Sequence, residues 1–239
     1  MQDKPWQLCK MDQEEAYFMK TKIVCIGNSI TNGFPFKRSQ SFPSLIREAT
    51  GFEVINKGEN GESTGQVLDR FQEDVIAHKP DLVTILTGTN DFIFSLDTTK
   101  GSFEKIEEMV RLAKAANIKI LLMTPLLTLP EMAKEAWMSG AEIDYYQVNE
   151  QLRQLGLLIK EYVESQGNLK NENAINSEYI EESTGTEGVI KRQDITLLDL
   201  QELYQEFERC VGRENVFHDG LHPTIEGQAF IADCILKCF

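Results

Sequence analysis

The sequence predicts an α/β fold built on a parallel, doubly wound sheet, and three observations carry that prediction. Five short, continuously apolar runs recur along the chain, segments with a helical apolar period lie between them, and clusters of Gly, Asn, Ser and Asp follow several of the runs directly. A run that is apolar at every position suits a strand covered by helices on both faces. Regular alternation of strand and helix then gives parallel pairing through crossover connections.

The first strand is read at 23–26 and is followed by Gly27-Asn28-Ser29 and a helix over about 40–49. A second strand at 54–55 leads through Asn56, Gly58, Asn60 and Gly61 into a helix over about 64–78, whose end is marked by His78-Lys79-Pro80. The third strand, 82–86, runs into Gly88-Thr89-Asn90-Asp91 and a helix over about 102–116, and the fourth is 118–123. Tyr145, Val148, Leu152, Leu155, Ile159 and Tyr162 recur in steps of three and four within a helix over about 142–165, which gives it one core-facing stripe. The fifth strand is 195–198, with helices over about 200–210 and 224–237 after it. In a five-stranded sheet of order 2-1-3-4-5, ligands bind beyond the carboxyl ends of the strands where the winding reverses, between strands 1 and 3. Ser29, Gly61 and Asn90 would all face that crevice, and the packing of the last helix must bring Asp219 and His222 to it.

A chain of 239 residues is most economically one domain. We read residues 1–20 as an N-terminal extension whose Trp6, Tyr17 and Phe18 could equally pack on the domain, 21–239 as that domain, and about 124–194 as an insertion, longer than a simple crossover needs. Its later part carries Glu164, Glu172, Glu178, Glu181, Glu182 and Glu187 against Lys170 alone, which reads as a solvated loop. The excess of 38 Asp and Glu over 24 Lys and Arg, a net charge of −14, repels polyanions and lacks a basic stripe, so nucleic acid is not an expected partner and an anionic bilayer surface is disfavoured. Cys9, Cys25, Cys210, Cys234 and Cys238 are odd in number and show no metal-ligand spacing, so structural, reduced thiols in a cytoplasmic protein are expected. No segment approaches the roughly 18 apolar residues of a membrane span, and residues 1–20 lack a signal-peptide core.

A serine hydroxyl becomes a useful nucleophile only beside a base, and the chain offers three histidines. His78 lies in a helix-ending turn and His218 beside Asp219. His222, three residues after Asp219, is the better base, because the carboxylate can hold one ring nitrogen and leave the other for Ser29. A metal site using His218, Asp219 and His222 is the rival, weakened by Gly220 and Pro223, which argue for a loop over the helix that would align the two rings. Acyl transfer also needs donors for the charge that develops on the carbonyl oxygen. The Asn90 side-chain amide and the backbone N–H groups of Ser29 and Gly61 could supply them, although either Gly-Asn cluster could simply form a turn or cap.

Gly27-Asn28-Ser29-Ile30, Gly61 within Asn60-Gly61-Glu62-Ser63-Thr64, Gly88-x-Asn90-Asp91 and Asp219-x-x-His222-Pro223 together resemble the four blocks of the GDSL or SGNH hydrolase superfamily, from about Thr21 to the C-terminus. The resemblance implies a flavodoxin-like three-layer α/β/α sandwich and hydrolysis of carboxylic esters without metal or organic cofactor. It also implies Ser29 as nucleophile, His222 as base, Asp219 as its partner, and Ser29, Gly61 and Asn90 as the oxyanion hole. The family's usual aspartate before the serine is Asn28 here. Thr31 stands where the Gly-x-Ser-x-Gly elbow of α/β-hydrolases would need a glycine, so that family fits poorly. The expected partner is a small ester such as an acylated sugar, a lipid or a thioester. An inactive binding module for such groups and an acyltransferase stay open, and Leu126, Leu127, Leu129, Met132, Trp137 and Met138 could wall an acyl pocket or cover the sheet.

Overall fold

A computed structural model of the chain describes residues 21–137, 143–166 and 188–239. Its strands are β1 (Lys22–Gly27), β2 (Glu53–Gly58), β3 (Leu82–Leu86), β4 (Lys119–Met123), β5 (Val189–Lys191) and β6 (Ile195–Leu198), in the sheet order β2-β1-β3-β4-β6-β5. All neighbours pair in parallel except β5, which runs antiparallel to β6 with Ile190 opposite Leu197. The five predicted strands therefore stand in the predicted order, and the correction is a sixth at the edge. β5 is three residues long, half-buried throughout and joined to β6 by a tight hairpin, so it shows none of the continuous apolarity that marks the buried strands.

Because successive strand residues point to opposite faces, the apolar runs feed two cores. Val24, Ile26, Val83, Ile85, Ile120 and Leu122 face one helix layer, while Ile23, Cys25, Leu121 and Met123 face the other. The first layer comprises α3 (Thr64–Asp69), α4 (Phe71–Asp74), α6 (Thr99–Ala115) and α8 (Tyr145–Ser165), through Val67, Phe71, Met109 and Leu152 among others. The second comprises α2 (Phe42–Thr50), α9 (Leu200–Val211) and α10 (Ile225–Leu236), through Phe42, Ile46, Phe207 and Ile231. Side chains of Thr98, Asp144, Asp199 and Thr224 accept backbone hydrogen bonds at the starts of α6, α8, α9 and α10 and so fix where those helices begin. The helix expected over 64–78 is broken at Arg70 (φ −98°, ψ 2°) into α3, α4 and a 3₁₀ turn at Ile76–His78. Three short helices had no signature in the sequence: α1 (Ser29–Asn32), α5 (Thr89–Ile93) and α7 (Pro130–Ala136).

The extension read at 1–20 and the acidic loop at 167–187 lie outside the described residues. Within the segment read as an insertion, α7 and α8 both pack on the cores, Ala133 and Leu155 being fully buried. Burial pushes the thiols of Cys25 and Cys234 up to about 12 and that of Cys238 to about 11, consistent with inert side chains, whereas Cys210 faces solvent. Among the described residues no helix is long and apolar enough to cross a membrane.

Candidate active site

β1 ends at Gly27, and Ser29 is the first residue of the one-turn helix α1. That position leaves its backbone N–H without an intrahelical partner. The segment from Phe217 to Pro223 forms a tight loop closed by a bridge between those two residues and by His218 N donating to His222 O at 2.8 Å. Inside it, Asp219 Oδ1 accepts from the backbone N–H groups of Leu221 (2.9 Å) and His222 (2.8 Å). This is an Asx turn, in which a short carboxylate closes on its own backbone. Oδ2 is left for the imidazole, 2.7 Å from His222 Nδ1, and His222 Nε2 lies 2.9 Å from Ser29 Oγ. All three residues are buried. Burial by itself raises the Asp219 carboxyl, but the hydrogen bond and charge of His222 and the two backbone donors outweigh it and hold the group below its ordinary value.

Gly61 has φ +78°, and a Cβ there would meet no heavy atom within 4 Å, so its backbone is open to the crevice. Asn90 donates through Nδ2 to the carbonyl of Glu62 at 2.8 Å. A primary amide has two hydrogens, so this bond fixes the group's orientation and leaves one N–H for a ligand. Asp91 accepts from Thr64 N at 3.1 Å and from Thr64 Oγ1 at 2.5 Å, joining the start of α5 to the start of α3. Burial pushes the Asp91 carboxyl up against the opposing pull of those donors.

Ser29, Gly61, Asn90 and His222 border one cleft of ≈ 220 Å³. Phe34 sets its ring edge against His222 (centroids 4.8 Å apart), and Trp137 lies 5.7 Å away on the same imidazole. Ile93, Phe94, Ile143, Tyr145 and Leu221 complete a wall with little polar surface. The structure thus gathers five predicted residues, Ser29, Gly61, Asn90, Asp219 and His222, around one crevice. His218 is exposed and rests edge-on against Phe36, while His78 sits in the turn before β3, and neither joins the site. No group of three or more His, Cys, Asp or Glu among the described residues could hold a metal ion. Of the six residues proposed as pocket wall, Trp137 borders the cleft. Leu126, Leu127, Leu129 and Met132 pack into the two cores, and Met138 lies outside the described residues. Phe34, Ile93 and Phe94 went unread because each sits in or just after a helix too short to show a period that marks a facing side, whereas Tyr145 opens the periodic stripe of α8 and borders the cleft as well as the core.

A model of the GDSL-like lipase/acylhydrolase family matches residues 25–230. An arylesterase from Vibrio mimicus is 29% identical over 107 residues, covering 43% of this chain and 53% of the relative, so the chain spans about half the length of that protein. An acetylxylan esterase from Geobacillus stearothermophilus is 23% identical over 196 residues, covering 78% of this chain and 72% of the relative. Among solved structures, a GDSL-like lipase from Bacteroides thetaiotaomicron is similar in fold, with a TM-score of 0.64, 23% identity and coverage of 97% of this chain and 91% of that one. With the family model running from the middle of β1 into α10, and so across every residue of the crevice, the chain belongs to the GDSL-like lipase/acylhydrolase family.

Proposed function

We propose that the protein is a serine esterase whose catalytic residues are Ser29, His222 and Asp219. The observation that carries this reading is the unbroken run of hydrogen bonds from Ser29 Oγ through the imidazole to Asp219, at 2.9 and 2.7 Å, on the edge of an apolar cleft. As Ser29 Oγ bonds to the ester carbonyl carbon, His222 Nε2 takes its proton. The imidazolium is stabilised by Asp219, which also holds the proton of the other ring nitrogen on Nδ1. The negative charge on the former carbonyl oxygen meets the N–H groups of Ser29 and Gly61 and the remaining N–H of Asn90. Collapse breaks the bond to the alcohol, which leaves with the proton from Nε2. Water then gives a proton to His222 as it attacks the acyl carbon, and as the bond to Ser29 Oγ breaks His222 returns that proton to Oγ, releasing the acid and the free serine.

The cleft is suited to an ester with an apolar group next to the carbonyl, since its wall is aromatic and aliphatic. Ser29→Ala should abolish turnover of short p-nitrophenyl esters without shifting the unfolding midpoint, and a fluorophosphonate probe should label the wild type at Ser29. A folded wild-type protein that neither turns over esters nor takes the label would instead be a binding module for acylated ligands.

A further inference from the structure

Arg70 stands at the break between α3 and α4, outside every motif described above, and each of its three guanidinium nitrogens is engaged. Nη2 donates to the carbonyl of Gly27 at 3.0 Å, Nε donates to Glu62 Oε2 at 2.7 Å, and Nη1 donates to Asp74 Oδ2 at 2.7 Å. Asp74 is held in turn by Lys57 Nζ at 2.6 Å. Burial works against ionisation of Asp74, but these two cations win and keep its carboxyl below the ordinary value. The Arg70 side chain is 17% exposed and Glu62 20%, so this is not an ion pair of the freely solvated kind that contributes almost nothing.

The partners matter more than their number. Gly27 ends β1 two residues before Ser29, and its carbonyl also accepts from Glu59 N at 3.1 Å. Glu62 follows Gly61, and the Glu62 carbonyl is the group that orients the Asn90 amide, at 2.8 Å. One planar fork therefore spans the strand end that carries the serine and the loop that carries Gly61 and, through the Glu62 carbonyl, orients Asn90 of α5. A lysine, with a single nitrogen, could not bridge Gly27, Glu62 and Asp74 at these distances and angles.

We propose that Arg70 is a positioning residue of the oxyanion hole: by gripping Gly27 and Glu62 together it sets the separation between the Ser29 turn and the Gly61–Glu62 loop, and through the Glu62 carbonyl it aims the Asn90 amide. The inference rests on the serine esterase reading. Donors of this kind act on the transition state only when held to within about half an ångström, so loosening the fork lowers kcat and leaves KM in place. The loss is smaller than the roughly hundred- to thousandfold cost of deleting a donor outright.

Arg70→Met and Glu62→Ala, alone and together, test this with a p-nitrophenyl ester and with the rate of fluorophosphonate labelling at Ser29. Each single variant is expected to lose about tenfold or more in both kcat and labelling rate with KM within about threefold, and the double variant to be no worse than the poorer single one, because both cut the same connection. Glu62→Ala removes one half-buried carboxylate and leaves the Glu62 carbonyl and the contacts of Arg70 with Gly27 and Asp74 in place, so the test stands if Arg70→Met fails to fold. Folded variants that keep kcat within about twofold of the wild type, or whose losses multiply in the double variant, overturn the proposal while leaving Ser29 labelling intact. A wild type that does not label removes the esterase reading and the positioning role with it.

Discussion

Both carboxylate oxygens of Asp219 are engaged, Oδ1 by two backbone N–H groups and Oδ2 by His222 Nδ1, and the two engagements do different work. The backbone pair shapes the loop, and the ring contact selects the imidazole tautomer. Asp219→Asn keeps the first and reverses the second, because an amide N–H facing Nδ1 drives the ring proton to Nε2, where it faces Ser29. We expect kcat on a p-nitrophenyl ester to fall about 10⁴-fold with little change in fold. The same substitution has a signature in acid. Since the folded-state carboxyl lies below its ordinary value of 3.8, its stabilising contribution is fully present above that value and is lost as pH falls through the lowered one. Urea midpoints measured above and below that value should show the wild type losing stability more steeply than Asp219→Asn, and parallel losses would place the acid sensitivity elsewhere. Tyr145 presents the opposite situation. It is 4% exposed, and its hydroxyl finds no hydrogen-bond partner among the described residues. A buried, unpaired hydroxyl costs about 1–3 kcal/mol. Tyr145→Phe keeps the ring in the cleft wall and is expected to raise the thermal midpoint or leave it unchanged; a clear drop would mean that the hydroxyl has a partner in solution.

The element that positions His222, the proposed base, is the loop from Phe217 to Pro223, held down on α7. The carbonyl of Gly220 accepts from Leu129 N at 2.8 Å, and a Cβ on Gly220 would come within 2.4 Å of the Ala133 backbone nitrogen and 2.8 Å of the Leu129 carbonyl oxygen. With φ at +82° as well, no other residue fits without lifting the loop from the helix. Gly220→Ala should therefore cost about 2 kcal/mol or more in urea unfolding and lower kcat, as His222 moves away from Ser29; a variant that keeps both would show the loop to be free of α7. The sequence made β1, β3 and β4 legible because each is apolar at almost every position, and α8 legible because its stripe is long enough to establish a period. It left α1, α5 and α7 unread because four to seven residues are too few to display one, and β5 because an edge strand needs no apolar face. The same limit divides the site. Ser29, Gly61, Asn90, Asp219 and His222 are readable because the chemistry proposed for them requires particular residue types. Arg70 reads as one more solvated arginine on a helix, since its role depends on which carbonyl it reaches, and Phe34 and Tyr145 count only through what they face.

At the scale of the molecule the decisive fact is that Ser29 and His222, 193 residues apart, meet at 2.9 Å. β1 delivers the first and the C-terminal region the second, so the site exists only if α10 docks in one place beside α1 and α2. Apolar packing of Ile231 and Ile235 against Phe42 and Ile46 supplies attraction but little register, because aliphatic surfaces tolerate sliding. The side chain placed to fix register is Gln228. Fully buried on α10, it accepts from Phe42 N through Oε1 at 2.9 Å and donates from Nε2 to Ile30 O at 3.0 Å. One amide thus satisfies the start of α2 and the residue after the serine at once. Gln228→Met conserves volume while leaving that N–H and that carbonyl buried without partners, at a cost of about 1–3 kcal/mol each. We expect a loss of about 2–4 kcal/mol in urea unfolding, together with a fall in kcat that persists at temperatures where the variant is fully folded. The second readout separates the two roles of the side chain. If Gln228 sets register, the folded variant holds the imidazole and the serine out of alignment and turns over slowly. If it only satisfies two backbone groups, the folded fraction works at the wild-type rate, and packing alone positions the last helix.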